Sequence, residues 1–145
     1  MNGDVVVLDS DTLSELSRGH PTVTVRAREY LKRYGRFTVT SITIFERLRG
    51  YRSALRAGKP YEAQLRQFEA FIGSCIALPL DTGAADVAAT IWAALSPKKQ
   101  KAIGDILIAA ITASNGLALV TRNRRDFAPI AAVEGVNLPL VDWSR

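Results

Sequence analysis

The chain has 145 residues, 48% of them apolar and 23% charged, which is the composition of an ordinary globular domain. No apolar run approaches the ~20 residues of a membrane helix and the N-terminus lacks a signal-peptide layout, so we expect a cytoplasmic protein outside the membrane. A single cysteine, Cys75, excludes an internal disulfide. The net charge of +5 favours polyanionic partners, above all nucleic acid.

Apolar runs bounded by polar or helix-breaking residues predict five strands. These cover 5–8, 37–40, 76–80, 117–121 and 136–141. The first contains three valines and a leucine, a pattern typical of a strand buried on both faces in a parallel sheet. Pro79 favours an edge position for the third strand.

Apolar residues at helical spacing predict six helices between these strands. They cover 11–18, 22–34, 41–57, 61–72, 81–95 and 103–114. Asp11 or Thr12 is the expected cap of the first helix, and Ser41 or Thr43 that of the third. We expect residues 98–101 to form a basic connector and residues 122–128 a polar segment with about one helical turn.

The alternation of strands and helices predicts an α/β fold, a three-layer α/β/α sandwich around a parallel sheet. With strands two and three on one side of the first and strands four and five on the other, right-handed crossovers give the order 3-2-1-4-5. No repeat or linker interrupts the chain, so a single domain over 1–145 is expected. Ligands should bind between strands one and four, where the strand order reverses.

Acidic and amide side chains follow the strands that border this crevice. Asp9 ends the first strand, Glu46 and Asp105 lie near the starts of two helices, and Asn123 and Asp126 follow the fourth strand. Helix N-termini stabilise carboxylates by roughly 0.3–1 kcal/mol, which by itself explains Glu46 or Asp105. It does not explain an acid that ends a buried strand.

Converging carboxylates repel one another unless a cation neutralises them. Their hard oxygen atoms suit Mg²⁺ or Mn²⁺, and the chain offers no Cys/His set for zinc. Such a cation can lower the pKa of water and hold a phosphodiester in line. The lone His20, expected at the surface, excludes a histidine-based nuclease, so the pattern favours a metal-dependent one.

Five segments resemble those of PIN-domain ribonucleases, specifically VapC-like toxins of toxin–antitoxin pairs. Residues 8–16 (LDSDTLSEL) resemble the opening LDTNxLSEL, and residues 40–46 (TSITIFE) and 104–110 (GDILIAA) resemble the second and third acidic motifs. Residues 121–127 (TRNRRDF) resemble TxNxxDF, and 136–143 fits the last strand, which ends in Asp-Trp. Each motif is weak alone, whereas four in the same order are specific.

The resemblance implies a Mg²⁺- or Mn²⁺-dependent endoribonuclease that forms homodimers and is inhibited by a small VapB-like antitoxin laid across the active-site groove. Asp9, Glu46 and Asp105 match the three acids of the family, and Asn123 or Asp126 takes the fourth position. Asp9 and Asp105 would be the main metal ligands, and Glu46 a ligand or a group that orients water.

The resemblance also implies supporting residues. Ser10, Ser41 and Thr121 would hydrogen-bond the acids, and Asp11, where many relatives have Asn, would add charge. Candidates for RNA phosphate contacts are the arginines Arg122, Arg124, Arg125 and Arg47. A solvated charged face is the alternative interpretation of these arginines.

Two other functions remain open at this point. A haloacid-dehalogenase-type phosphatase opens with a strand and a DxD motif, which Asp9 and Asp11 match, but Leu13 stands where Thr or Val is expected. A PIN-like module that binds RNA or a partner without cleaving is compatible with Asn123 and the basic charge. The presence of three acids argues against it, and a short upstream gene for a DNA-binding protein would favour a toxin.

Overall fold

The computed structural model describes residues 5–145 and contains one five-stranded parallel sheet. The strands are β1 (Val6–Leu8), β2 (Thr38–Thr40), β3 (Ile76–Leu78), β4 (Ala118–Val120) and β5 (Leu140–Val141). Their order is β3-β2-β1-β4-β5, which confirms the predicted fold and places β3 at an edge. In the centre, Val7 of β1 pairs with Thr38 on one side and Leu119 on the other.

Eight helices within residues 5–145 flank the sheet. They are α1 (Ser10–Ser17), α2 (Pro21–Tyr34), α3 (Ser41–Arg56), α4 (Glu62–Gly73), α5 (Thr82–Ala94), α6 (Pro97–Gln100), α7 (Ile103–Ser114) and α8 (Arg124–Ala131). None of the helices in this part of the chain is long and apolar enough to cross a membrane.

Two predicted helix caps are wrong, because strand and helix meet without a loop. Asp9, not Asp11 or Thr12, caps α1: its backbone is extended and its Oδ1 accepts the Thr12 N–H at 2.8 Å. Likewise Thr40, the last residue of β2, caps α3 by accepting the Thr43 N–H at 3.1 Å. A residue that ends a strand already has the extended φ and ψ that an N-cap requires.

Three other segments also differ from expectation. The basic connector is helical, since the hydroxyl of Ser96 caps α6. The segment after β4 continues to Ala131 as α8, because Phe127 and Ile130 are buried on its inward face. The last strand is only two residues long. His20 is half-buried, and its Nδ1 caps α2 by accepting the Val23 N–H at 3.3 Å.

The core has two parts, one on each face of the sheet. Val6 and Leu8 pack on the side of α1, α2 and α4, whereas Val7 packs on the side of α5, α7 and α8. β1 is therefore buried on both faces, as predicted. With β1 and β4 as neighbours and successive connections leaving in opposite directions, the carboxyl ends of these two strands border the crevice where ligands bind in such folds.

Candidate functional site

Asp9 lies at the carboxyl end of β1 and is only 3% exposed. Its carboxylate accepts the Thr12 N–H and is hydrogen-bonded by the Thr121 side chain. Both contacts favour the ionised form, but the loss of solvation outweighs them. Burial therefore raises the pKa of Asp9 to about 6.

The ends of β1 and β4 are tied together beside this carboxylate. The Val120 carbonyl accepts hydrogen bonds from the Thr12 hydroxyl at 3.0 Å and from the Asp9 N–H at 3.2 Å. The Thr121 hydroxyl accepts the Asn123 N–H at 2.9 Å. The strand ends and the start of the α8 segment are thus held in one arrangement.

Glu46 reaches the crevice from α3 through a gap left by a glycine. Its Oε1 accepts a hydrogen bond from the Ser10 hydroxyl at 3.4 Å. A Cβ atom placed on Gly104 would collide with Oε2 of Glu46 and lie 3.3 Å from its Cδ. The absent side chain of Gly104 therefore makes room for this carboxylate, a role that the sequence motif alone does not reveal.

Asp105, in the first turn of α7, is half-buried and has a pKa raised to about 6. The first cause is burial, and the next is repulsion by neighbouring carboxylates, namely Asp126, Glu46, Asp9 and Asp11 in decreasing order. The fold thus brings the predicted acids close enough to interact electrostatically.

Asn123 and Asp126 act as a pair at the start of α8. The Asn123 Nδ2 donates a hydrogen bond to Oδ2 of Asp126 at 2.7 Å. The carboxylate at this corner of the crevice belongs to Asp126, and the amide of Asn123 holds it.

Two of the predicted RNA-binding arginines, Arg47 and Arg122, are already engaged by other side chains. Arg47 donates to the Ser14 hydroxyl at 2.9 Å, and its guanidinium lies 5.4 Å from the centre of the Phe68 ring, in a groove between α1, α3 and α4. Arg122 instead forms an ion pair with Glu15, a buried acid of α1.

Glu15 is not among the site residues predicted from the sequence. Its carboxyl pKa is lowered chiefly by the hydrogen bond from Arg122, whose guanidinium pKa is raised in turn. The available sequence signal was the position of Glu15 beside Thr12 and Leu13 on the inward face of α1.

The remaining candidates are Asp11, Ser41, Arg124 and Arg125. Asp11 is exposed and lines a hollow with Arg122 and Asn123. Ser41 is half-buried at the start of α3 and forms no hydrogen bond with an acid of residues 5–145. Arg124 and Arg125 are exposed at the start of α8.

The chemistry of the site suits a hard divalent cation. All its charged donors are carboxylates, and the pKa values of Asp9 and Asp105 are raised chiefly by burial and further by repulsion from nearby acids. No three Asp, Glu, His or Cys side chains within residues 5–145 form a ready-made metal cage.

Comparisons with known proteins agree with the fold. The sequence model of the PIN domain matches residues 6–133. No curated protein matches the chain.

Three solved structures share the fold over nearly the whole chain. DNA-bound VapBC from Salmonella typhimurium is 25% identical with a TM-score of 0.72 and covers 95% of this chain and 97% of its own. VapBC-1 from nontypeable Haemophilus influenzae is 21% identical with a TM-score of 0.73 and covers 97% and 98%. Promoter-DNA-bound VapBC2 from Rickettsia felis is 19% identical with a TM-score of 0.71 and covers 95% and 98%.

Proposed function

The chain belongs to the PIN-domain family, and from that premise we propose that it is an endoribonuclease that hydrolyses RNA phosphodiester bonds with the help of Mg²⁺ or Mn²⁺. Membership of this family replaces the phosphatase interpretation. The matching VapBC structures support a role as the toxin of a toxin–antitoxin pair, inhibited by a small antitoxin. A homodimer is part of the same proposal.

One observation carries the proposal: Glu46 and Asp105 line one hollow, Asp9 and Asp126 also act electrostatically on Asp105, and none of these four acids has a positive partner among residues 5–145. Asp9 follows β1, Glu46 comes from α3, Asp105 from α7 and Asp126 from α8. No Lys or Arg of residues 5–145 forms an ion pair with any of them. Asp9 is buried and Glu46 and Asp105 are half-buried, and like charges in such positions are unfavourable for stability. Their presence here supports a cation that is supplied from outside the chain.

We assign the metal-holding positions from burial and proximity. Asp9 and Asp105 are the principal ligands, Glu46 is a ligand or orients water, and Asp126 is the fourth acid, kept in place by Asn123. When bound, the cation would activate water and offset the negative charge of the phosphodiester. Ser10 and Thr121 orient the carboxylates of Glu46 and Asp9 by hydrogen bonds.

Cleavage of a mixed RNA pool tests this function. The purified full-length protein is incubated with Mg²⁺, with Mn²⁺ or with EDTA, beside the Asp105→Ala variant. Fragments that require the metal and disappear in the variant are expected, and mapping their ends identifies the sites cut. A folded protein, free of co-purified inhibitor, that does not cleave under any condition would contradict the nuclease and favour the module that binds without cleaving.

A further inference from the structure

A second opening lies beside the acids, between α6 and α8, with a volume of about 770 Å³. We call it the α6–α8 cleft. Asn123 and Asp126 form part of its lining, and Asp126 also acts electrostatically on Asp105. The cleft therefore opens directly onto the acidic crevice.

Three basic side chains line the cleft: Lys98 and Lys99 from α6 and Arg125 from α8. All three residues are exposed, and none forms an ion pair within residues 5–145. Against them stands the single carboxylate of Asp126, at the end nearest the acids. The cleft is thus net positive and its cations are available to a ligand.

The helix that carries the two lysines is anchored. The Ser96 hydroxyl caps α6 by accepting the Lys99 N–H at 3.4 Å, and the Gln100 side chain donates to the Trp92 carbonyl at 2.9 Å. Lys98 and Lys99 are therefore presented from a fixed backbone rather than from a free loop.

The rest of the lining is apolar and contains no aromatic ring. It consists of Leu95, Ala102, Pro129 and Ile130. Bases stack on aromatic rings or on the guanidinium plane of an arginine, and Arg125 supplies the one such plane in this lining. The cleft therefore offers three cations to the phosphates of a strand and little surface on which its bases could stack.

The arginines on the opposite side of the crevice are already engaged. Arg122 is paired with Glu15, Arg47 lies over Phe68, and Arg49 lies 5.3 Å from the Phe45 ring centre. Arg49 and Lys101 line another hollow together with Glu46 and Asp105, so positive charge also lies there. In the α6–α8 cleft, three exposed cations without an ion pair within residues 5–145 lie together.

We propose that the α6–α8 cleft is the binding site for the RNA strand next to the bond that is cut, with Lys98, Lys99 and Arg125 contacting its phosphates without reading its bases. This inference rests on the proposed ribonuclease function. It places the lysines, absent from the sequence-based set, ahead of Arg122 and Arg47 as phosphate contacts.

Salt-dependent RNA binding tests the inference. Full-length wild type and the Lys98→Ala/Lys99→Ala variant are titrated with a fluorescent single-stranded RNA of about 12 nucleotides in EDTA, which prevents cleavage, over a series of salt concentrations. Each phosphate contact contributes about 0.7 to the slope of log affinity against log salt, so we expect the variant slope to be shallower by about 1.4. The ratio of the RNA affinity of wild type to that of the variant should then fall about sevenfold for a fourfold rise in salt concentration.

The matched control is Arg28→Ala/Lys32→Ala, which removes the same charge from two exposed positions of α2, on the other face of the sheet. Its salt slope should equal that of wild type. An equal loss of slope in both variants would overturn the inference, because it would reflect net charge alone.

Other outcomes separate the cleft from the nuclease. If the wild type cleaves RNA with metal but the lysine variant keeps the wild-type salt slope, the proposed role of the cleft is wrong and the nuclease function is retained. Wild type that neither cleaves nor binds RNA overturns both. A variant that binds RNA normally but loses affinity for a polyglutamate peptide would show that the cleft takes an acidic protein, which also overturns the inference.

Discussion

Asp9 and Glu15 are both buried acids of the first helical segment, one at the cap of α1 and the other near its end. Asp9 is 3% exposed and Glu15 is 6% exposed. Burial raises the pKa of Asp9 to about 6, while the hydrogen bond from Arg122 lowers the pKa of Glu15. Similar burial thus has opposite electrostatic results.

The difference lies in where the neutralising charge comes from. Glu15 receives it from Arg122, so its charge is compensated within the fold. Around Asp9 the fold adds further acids instead, with Glu46 and Asp105 in the same crevice. A carboxylate cluster without a countercharge is costly to the fold, which is why we propose Asp9 and not Glu15 as part of the functional site.

The largest effect should come from removing the uncompensated charge. Asp9→Asn keeps an oxygen that can accept the Thr12 N–H, so the cap of α1 is preserved while a metal ligand is lost. Loss of groups that merely support ligands costs about 10–100-fold, so we expect RNA cleavage to fall more than about 100-fold. Thermal unfolding should show a folded variant.

Asp86→Asn, an exposed acid of α5, is the matched control and should cleave as wild type does. Cleavage by Asp9→Asn at the wild-type rate would remove the distinction between Asp9 and Glu15.

The next effect concerns the space that admits Glu46 to the crevice. In Gly104→Ala the new methyl group would displace the Glu46 carboxylate, the movable end of a side chain, so the fold should persist. We expect a loss of cleavage of about 10-fold or more. Rates and melting temperatures are compared with those of Gly50→Ala.

Gly50 lies inside α3, and a methyl group there meets nothing within 4 Å. This control should keep its activity and gain about 0.5–1 kcal/mol of stability from the better helix former. Equal activity in the two variants would show that Glu46 does not need its present position.

Asp9 and Glu15 should also have opposite effects on how the free energy of unfolding depends on pH. The folded-state pKa values of Asp9 and Asp105, about 6, lie above the unfolded value of 3.8, so the folded state holds more protons between these pH values. The free energy of unfolding should therefore fall as pH rises from about 4 through about 6, by on the order of 3 kcal/mol for Asp9. Saturating Mg²⁺ or Mn²⁺ at pH 7 should restore it.

Glu15 has the opposite sign. Because its folded pKa is lowered, its stabilisation is present above the unfolded pKa and lost as pH falls through the folded pKa. Urea titrations across the pH range, with and without metal, separate the two windows. Equal stabilisation by metal in wild type and in Asp9→Asn/Asp105→Asn would contradict the assigned ligands.

Local patterns were enough to predict the sheet. The valine run of β1 and the alternation of strands with helices determine a parallel sheet, and a parallel sheet collects its carboxyl ends along one edge. Asp9 follows β1 and Glu46 lies in α3 directly after β2, so both are placed towards this edge, whereas Asp105 lies in the first turn of α7, which follows another helix, and its position depends on how α7 packs against α3. Thr40 and Asp9 were not predicted as helix caps because the sequence does not show that strand and helix meet without a loop.

Contacts between distant elements could not be predicted in this way. The partners Glu15 and Arg122 are 107 residues apart, and they meet because of the register between β1 and β4. The direction of Arg47 depends on how α3 is rotated against α4, which brings it over Phe68 instead of towards the acids. The role of Gly104 depends on the reach of a side chain from another helix.

The smallest effect tests whether pairing with Glu15 is what keeps Arg122 from phosphate. Glu15→Gln removes the countercharge and leaves the half-exposed guanidinium of Arg122 as a free cation beside the crevice. The slope of log RNA affinity against log salt should become steeper by up to about 0.7, the contribution of one phosphate contact on a single strand. Arg122→Gln, in contrast, should keep the wild-type slope, and the Glu15→Gln/Arg122→Gln double variant should return to it. If Arg122→Gln alone flattens the slope by about 0.7, Arg122 already contacts phosphate in the wild type. Its pairing with Glu15 would then not withhold its charge from RNA, and the contrast between Glu15 and Asp9 would be smaller than proposed.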